Sequence, residues 1–299
     1  MTPTEQRLQL YKEMFQDKTR IKFITTVLNT YDASQRRSVR FNVFPKQKEF
    51  LKALSEYDNN IAIKPRQSGI STLVAGWTCG QMVFASKKSP ECALYIANKL
   101  EQAELLLKKL TDFIDQIPRW MWGPDYYDPD PNDPKNLKSI YTKKNKKEFE
   151  LFNGSSAYAR SSGPSAARGI SAVSILVLDE CAFINDSQVV YSQALATTSS
   201  VDHAKVILVS TPNGKDQLYY KTYHQAITGE NSFHPVEFRW FHDPRYNKYL
   251  EWRKLNKETG IEMVQKDPII SSDGTVTFNE EKWNLLVKDK WKPWSPWLS

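Results

Sequence analysis

The chain has 299 residues and a formal net charge of +7, which suits one large domain, or one domain with a small appendage, whose core needs no disulfide or metal staple. Cys79, Cys92 and Cys181 are odd in number and far apart, and His203, His224, His234 and His242 show no metal-ligand spacing. A disulfide framework and a zinc site are therefore not expected, and a reduced, cytosolic setting is. No apolar run approaches the about 20 residues of a membrane span, the opening MTPTEQRLQLYKEMF lacks a signal-peptide core, and the basic excess is compatible with a polyanion such as DNA.

Residues 1–43 are polar and basic, with Arg36, Arg37 and Arg40 close together, and read as a helical lead-in. From Ile61 short Ile- and Val-rich runs alternate with helical patterns. Ile61–Ile63 reads as a strand, Thr72–Val83 as a helix, Ala93–Ile96 as a strand and Glu101–Ile117 as a helix with apolar residues at helical spacing. Residues 123–138 are rich in Pro and Asp and read as an inserted loop. Ser174–Leu178 and Val206–Val209 are continuous apolar runs, as expected of central strands covered on both faces. Alternating strands and helices predict an α/β fold with a mainly parallel sheet. After Phe241 the alternation fades, so 44–241 is expected to form the core and 242–299 a small linker or lid subdomain, ending in Trp291, Trp294 and Trp297.

Three segments carry chemistry. Lys64-Pro65-Arg66-Gln67-Ser68-Gly69-Ile70-Ser71-Thr72 lies between a predicted strand and a predicted helix, where backbone N–H groups and a helix N-terminus hold phosphates. Against G-x-x-x-x-G-K-[ST], Gly69 matches the second glycine and Ser71 the magnesium-binding hydroxyl, while Ile70 stands at the lysine position. A triphosphate needs a cation there, and either Lys64 or Arg66 can supply it. About 110 residues later an apolar strand ends in Asp179 and Glu180. Adjacent strand residues point to opposite sides, so Asp179 is expected to face a metal and Glu180 an attacking water. The third segment, VILVSTPNG, ends a strand with Ser210, Thr211 and Pro212, at the sheet edge where ligands bind.

Together these segments resemble the ATPase domain of the large terminase subunit of tailed bacteriophages, over roughly Phe44 to Phe241 and most specifically in RQSGIST, ILVLDECAFI and ILVSTPNG. The resemblance implies an ASCE-type P-loop NTPase fold, ATP and Mg²⁺ as ligands, and ATP-driven movement of double-stranded DNA into a procapsid. Implied partners are the portal protein, the small terminase subunit and further copies of the chain in a ring. The implied location is the host cytoplasm, transiently on the procapsid. Residues 64–72 would hold the nucleotide, Gln47 read the adenine, Ser71 and Asp179 bind the metal, and Glu180 and Arg66 act in catalysis. Arg168, in the small-residue loop SSGPSAARGIS, would reach a neighbouring subunit's ATP, and Ser210-Thr211-Pro212 would couple hydrolysis to movement. The family's phosphate loop usually has lysine where Ile70 stands; in some relatives it stands at the front, as Lys64 does. The family's nuclease domain finds no room after Phe241, so no nuclease activity is expected. Two other readings stand beside this one: a helicase-like ATPase, which normally has two such cores, and a nucleotide-binding module without hydrolysis. Lys143, Lys144, Lys146 and Lys147 are candidates for contact with DNA or portal.

Overall fold

The computed structural model describes residues 1–32, 35–122, 139–163, 166–215, 218–243, 251–256, 258–259, 261–266 and 285–294. Two compact units result: Met1–Val43 with Gln47–Glu237, and Phe44–Lys46 with Phe238–Ser299. The Pro- and Asp-rich loop at 123–138 lies outside the described residues, as does Trp297.

The first unit opens with helices α1 (Pro3–Gln16) and α2 (Ile21–Val27), followed by an antiparallel hairpin of β1 (Asn29–Asp32) and β2 (Arg37–Arg40). The lead-in is thus only partly helical. Thr2 and Glu5 form a reciprocal cap on α1. Buried Arg20 fixes the turn between the helices, its guanidinium donating to the carbonyls of Met14, Phe15 and Asp17 and to Gln81 Oε1.

The centre is an eight-stranded sheet. Its strands are β3 (Asn59–Ile63), β4 (Cys92–Ala97), β5 (Tyr141–Lys144), β6 (Glu148–Leu151), β7 (Ser156–Ser161), β8 (Ile175–Asp179), β9 (Lys205–Ser210) and β10 (His234–Glu237). The spatial order is β10-β3-β9-β8-β4-β7-β6-β5. The six strands from β10 to β7 are parallel; β6 and β5 extend the sheet antiparallel. β9 stands between β3, which feeds the phosphate loop, and β8, which ends in the acidic pair. This is the expected P-loop sheet of the ASCE type. Residues Ile175–Asp179 are all buried, which is why their sequence is an unbroken apolar run.

Helices α3 (Pro45–Glu56), α4 (Ile70–Phe84), α5 (Leu100–Ile114), α6 (Ser187–Ala196) and α7 (Tyr219–Thr228) complete this part of the chain. α4 is apolar nearly all round and correspondingly buried nearly all round. A Cβ on its Gly80 would come within 3.0 Å of Arg20 and Phe23 side-chain atoms, so glycine lets α2 approach closely. α5 is amphipathic, burying Ala103, Leu106, Leu107, Leu110, Phe113 and Ile114. It stops short of the predicted Ile117 because Gln116 and Ile117 donate to Phe113 and Ile114, the tighter pattern of a terminal turn, and Pro118 follows.

The second unit contains a three-stranded antiparallel sheet in the order β12-β11-β13, formed by β11 (Glu251–Leu255), β12 (Glu262–Lys266) and β13 (Lys292–Trp294). Fully buried Trp252 is its hub, with Trp240, Leu286 and Trp291 packed around it. Trp291 therefore faces a local core. Among the described residues no helix is long and apolar enough to cross a membrane.

Candidate nucleotide site

At the carboxyl end of β3 the chain leaves the sheet as Lys64–Gly69 and re-enters regular structure as α4. Gln67 and Gly69 are both left-handed, at φ 60° and 75°, and Ser68 between them is not. Such alternation curls backbone N–H groups into an anion-binding concavity. Gly69 caps α4 without any side-chain hydrogen bond, leaving the first-turn N–H groups for a ligand. The loop is braced from beneath by buried Gln47, whose Nε2 donates to the Ser68 carbonyl at 3.2 Å. Lys64 N–H donates to the Ser210 carbonyl at 3.0 Å, fixing the base of the loop to the end of β9.

The two cations left open by the sequence lie in different environments. The Lys64 side chain is only 7% exposed, and its Nζ donates to Glu180 Oε1 at 2.8 Å. Arg66 is exposed and makes no hydrogen bond or ion pair with a described residue. Ile70 is 1% exposed. The lysine position of the usual motif is here part of the hydrophobic core, and the buried cation of the loop is Lys64, six residues upstream. Ile70→Ala is accordingly expected to destabilise the chain by about 2–5 kcal/mol while leaving ATP affinity intact. A denaturant midpoint unchanged alongside weaker ATP binding would contradict this.

Ser71, in the first turn of α4, donates through Oγ to Asp179 Oδ1 at 3.0 Å. Asp179 ends β8 and is buried. Burial pushes its carboxyl pKa up and Glu180 adds to this, against the pull of Lys64, the Ser71 hydroxyl and Lys109. Glu180 is the first residue beyond the strand and adopts a left-handed conformation, φ 49° and ψ 42°. This strained turn, and not the strand alternation expected from sequence, separates the two carboxylates. Partial burial works to raise the Glu180 pKa. The hydrogen bond and charge of Lys64, with Thr211 N–H and Oγ1 donating to Oε2 at 3.3 Å each, outweigh it and hold the carboxyl below its usual range.

The end of β9 completes the edge. Buried Ser210 Oγ accepts from Ala182 N–H and donates to the Thr211 carbonyl, tying the turn after β8 to that after β9. Asn213 Nδ2 donates to the Ala182 carbonyl, and Tyr219 OH donates to the Ala62 carbonyl beneath the loop. Pro212 is exposed. Of the residues singled out in the sequence, Gln47, residues 64–71, Asp179, Glu180, Ser210 and Thr211 thus meet at the carboxyl edge of β3, β8 and β9. Arg168 is exposed and has no hydrogen-bond or ion-pair partner among the described residues. Lys109 on α5 was not marked by the sequence. Burial lowers its pKa while Asp179 opposes the shift, and a lysine in a regular amphipathic helix gives no outward sign of that placement.

Oxygen donors Ser71 and Asp179 form a pair suited to Mg²⁺, which takes few protein ligands and completes its shell with phosphate and water. Among the described residues no cluster of three or more His, Cys, Asp or Glu side chains suits a metal ion.

A family model for the N-terminal part of the terminase large subunit, T4-like virus type, matches residues 61–249. Among solved structures, the large terminase of bacteriophage HK97 is similar over 90% of this chain and 50% of its own, at 16% identity and a TM-score of 0.52. The large terminase ATPase domain of Thermus phage P74-26 is similar over 61% of this chain and 76% of its own, at 18% identity and a TM-score of 0.43. The chain spans half the length of the HK97 protein.

Proposed function

Because the chain belongs to the family of phage large terminase subunits, we propose that it hydrolyses ATP at the carboxyl edge of β3 and β8 to drive double-stranded DNA into a procapsid. The observation that carries this reading is the convergence at one sheet edge of two hydrogen-bonded pairs, Lys64 with Glu180 and Ser71 with Asp179, across 116 and 108 residues of sequence.

In this mechanism the loop N–H groups, Lys64 and the α4 N-terminus hold the phosphates, with Ser68, Gly69, Ser71 and Thr72 forming the walls. Ser71 and Asp179 would hold Mg²⁺, which would supply charge neutralisation for the phosphates. Gln47 is assigned to the adenine on the family resemblance. Glu180 orients the attacking water and takes its proton. The phosphates draw Lys64 away from Glu180, so binding itself frees the carboxylate that activates water. Thr211 remains on the other carboxylate oxygen, and Ser210-Thr211-Pro212 carries the change at Glu180 to the rest of the sheet edge. Arg66 lies over the phosphates once they are bound. Arg168 serves a neighbouring subunit's site, consistent with its exposure. On this reading the chain works in a ring with the portal and the small terminase subunit, on the procapsid in the host cytoplasm, and residues 242–299 act as a linker or lid.

Two assays test the reading. Turnover per chain should rise with protein concentration in wild type and stay flat in Arg168→Ala. An arginine finger contributes about 10³–10⁵ in rate, so mixing Arg168→Ala with Glu180→Gln should recover turnover that neither shows alone. Recovery is lost if Arg168 acts within its own chain. ATP bound without phosphate release at any concentration would favour the nucleotide-binding module. Strand separation in a duplex-unwinding assay would favour the helicase-like reading.

A further inference from the structure

The antiparallel end of the sheet carries charge that the nucleotide site does not use. β5 and β6 are joined by the turn Asn145-Lys146-Lys147, fixed by Asn145 Oδ1 accepting the N–H groups of Lys147 and Glu148 at 2.8 and 3.0 Å. Four lysines lie on or beside this turn. Lys143 pairs with Glu148 at 2.6 Å and Lys144 with Asp115 at 2.9 Å. The Lys146 and Lys147 ammonium groups are exposed and have no acidic partner among the described residues. Arg160 on β7 comes up beneath the turn, donating to the Lys147 carbonyl at 3.3 Å and reaching Glu148 Oε2 at 3.5 Å. Lys146, Lys147 and Arg160 line a recess of about 660 Å³, together with Leu100 at the start of α5 and Ser161 at the end of β7. The one carboxylate in the recess, Glu148, is already shared between Lys143 and Arg160.

The placement matters as much as the charge. Ala159 N–H donates to the Lys147 carbonyl, so the turn stands at the carboxyl end of β7, the same sheet edge as the acidic pair. β7 pairs with β4 and β4 with β8. The recess is thus two strand spacings, about 10 Å, from the strand that carries Asp179 and Glu180. The adjoining recess along α5 brings Glu101 and Glu104 together with Lys108, Lys144 and Lys146; Lys108 is paired with Asp112 and Lys144 with Asp115, which leaves Lys146 as its unpaired cation among the described residues. The turn thus presents two unpaired lysines, Lys146 and Lys147, on a fixed backbone beside Arg160, as contact with successive phosphates requires.

We propose that the Lys146–Lys147 turn, with Arg160 beneath it, grips the phosphodiester backbone of duplex DNA. The inference rests on the motor reading and names the surface through which that motor touches its load. A grip built on β7 moves with the sheet whose other strands carry the ATP site, so no separate lever is needed between them.

The test is duplex-DNA binding by the full chain, followed by fluorescence anisotropy across a salt series. Lys146→Ala/Lys147→Ala is compared with Lys87→Ala/Lys88→Ala, an equal loss of charge in the turn before β4, at the opposite edge of the sheet. The first variant should bind duplex about tenfold more weakly and lower the slope of log K against log salt by about 2, one for each lost phosphate contact. The second should match wild type, and ATP hydrolysis without DNA should be unchanged in both. Equal losses in the two variants, or no loss in the first, overturn the grip and leave the ATPase reading standing. A wild-type chain that hydrolyses ATP but binds no duplex overturns the grip and the motor reading together.

Discussion

Glu180→Gln is expected to lower the rate of ATP hydrolysis by about 10²–10⁴, the range over which a positioned general base acts, while the fold and ATP binding survive. Glutamine keeps the length of the side chain and can still accept from Thr211, which donates to Glu180 Oε2 through both N–H and Oγ1. What it loses is the negative charge that takes a proton from water and that holds Lys64 Nζ at 2.8 Å. Lys64 is then available to the phosphates without first leaving a carboxylate. ATP affinity should therefore be equal to wild type or tighter, even as turnover collapses. Equilibrium nucleotide binding and steady-state phosphate release measured on the same preparation separate the two effects. Wild-type turnover in this variant would remove Glu180 from the chemistry.

Lys64→Ala has the second large effect, and it decides between the two cations at the front of the loop. A hydrogen bond to a charged group contributes about 1.5–3 kcal/mol, so removing Lys64 should weaken ATP binding by about 10- to 100-fold. Turnover should fall at least as far, because Lys64 no longer stabilises the charge that develops on the transferred phosphoryl group. Arg66→Ala should cost much less binding, since Arg66 is exposed and makes no hydrogen bond or ion pair with a described residue. Lys64 and Glu180 touch, so their losses should not add. Lys64→Ala/Glu180→Gln is expected to turn over about as slowly as the worse single variant. Strong loss in Arg66→Ala with little in Lys64→Ala would reverse the assignment.

The nucleotide edge was legible in the sequence for a physical reason. β3, β4, β8 and β9 are central and largely buried, so each appears as a short apolar run, and the three motifs follow directly at the carboxyl ends of β3, β8 and β9. α4 was placed two residues late because Ile70 and Ser71 look like loop until Gly69 is seen to cap the helix. The site's internal wiring was less accessible. That Lys64 reaches Glu180 depends on which strands are neighbours, and β9 intervenes between their two strands. The direction of Glu180 depends on a left-handed turn that no residue type announces, since glutamate rarely adopts it.

The antiparallel extension is hard to read because its strands are short: β6, Glu-Phe-Glu-Leu, alternates with Phe149 and Leu151 buried, but over only four residues. β5, Tyr-Thr-Lys-Lys, lies at the sheet edge with its lysines exposed, and such charge on an edge strand is how sheets avoid pairing with other chains. β7 fills its buried positions with Ala157 and Ala159, too small to read as a strand. β10 is the other edge and contains Pro235, which a central strand would not tolerate. Within the lead-in, the β1–β2 hairpin is largely exposed and so shows no alternation to read.

The most direct test of the account is Mg²⁺-dependent phosphate release from ATP by the wild-type chain, measured beside Glu180→Gln over a range of protein concentrations and again after chelation of the metal. The account predicts release by wild type that grows faster than concentration, stops without the metal and is nearly absent in Glu180→Gln despite full ATP binding. Equal release by the two proteins, or release that persists without a divalent metal, would contradict it.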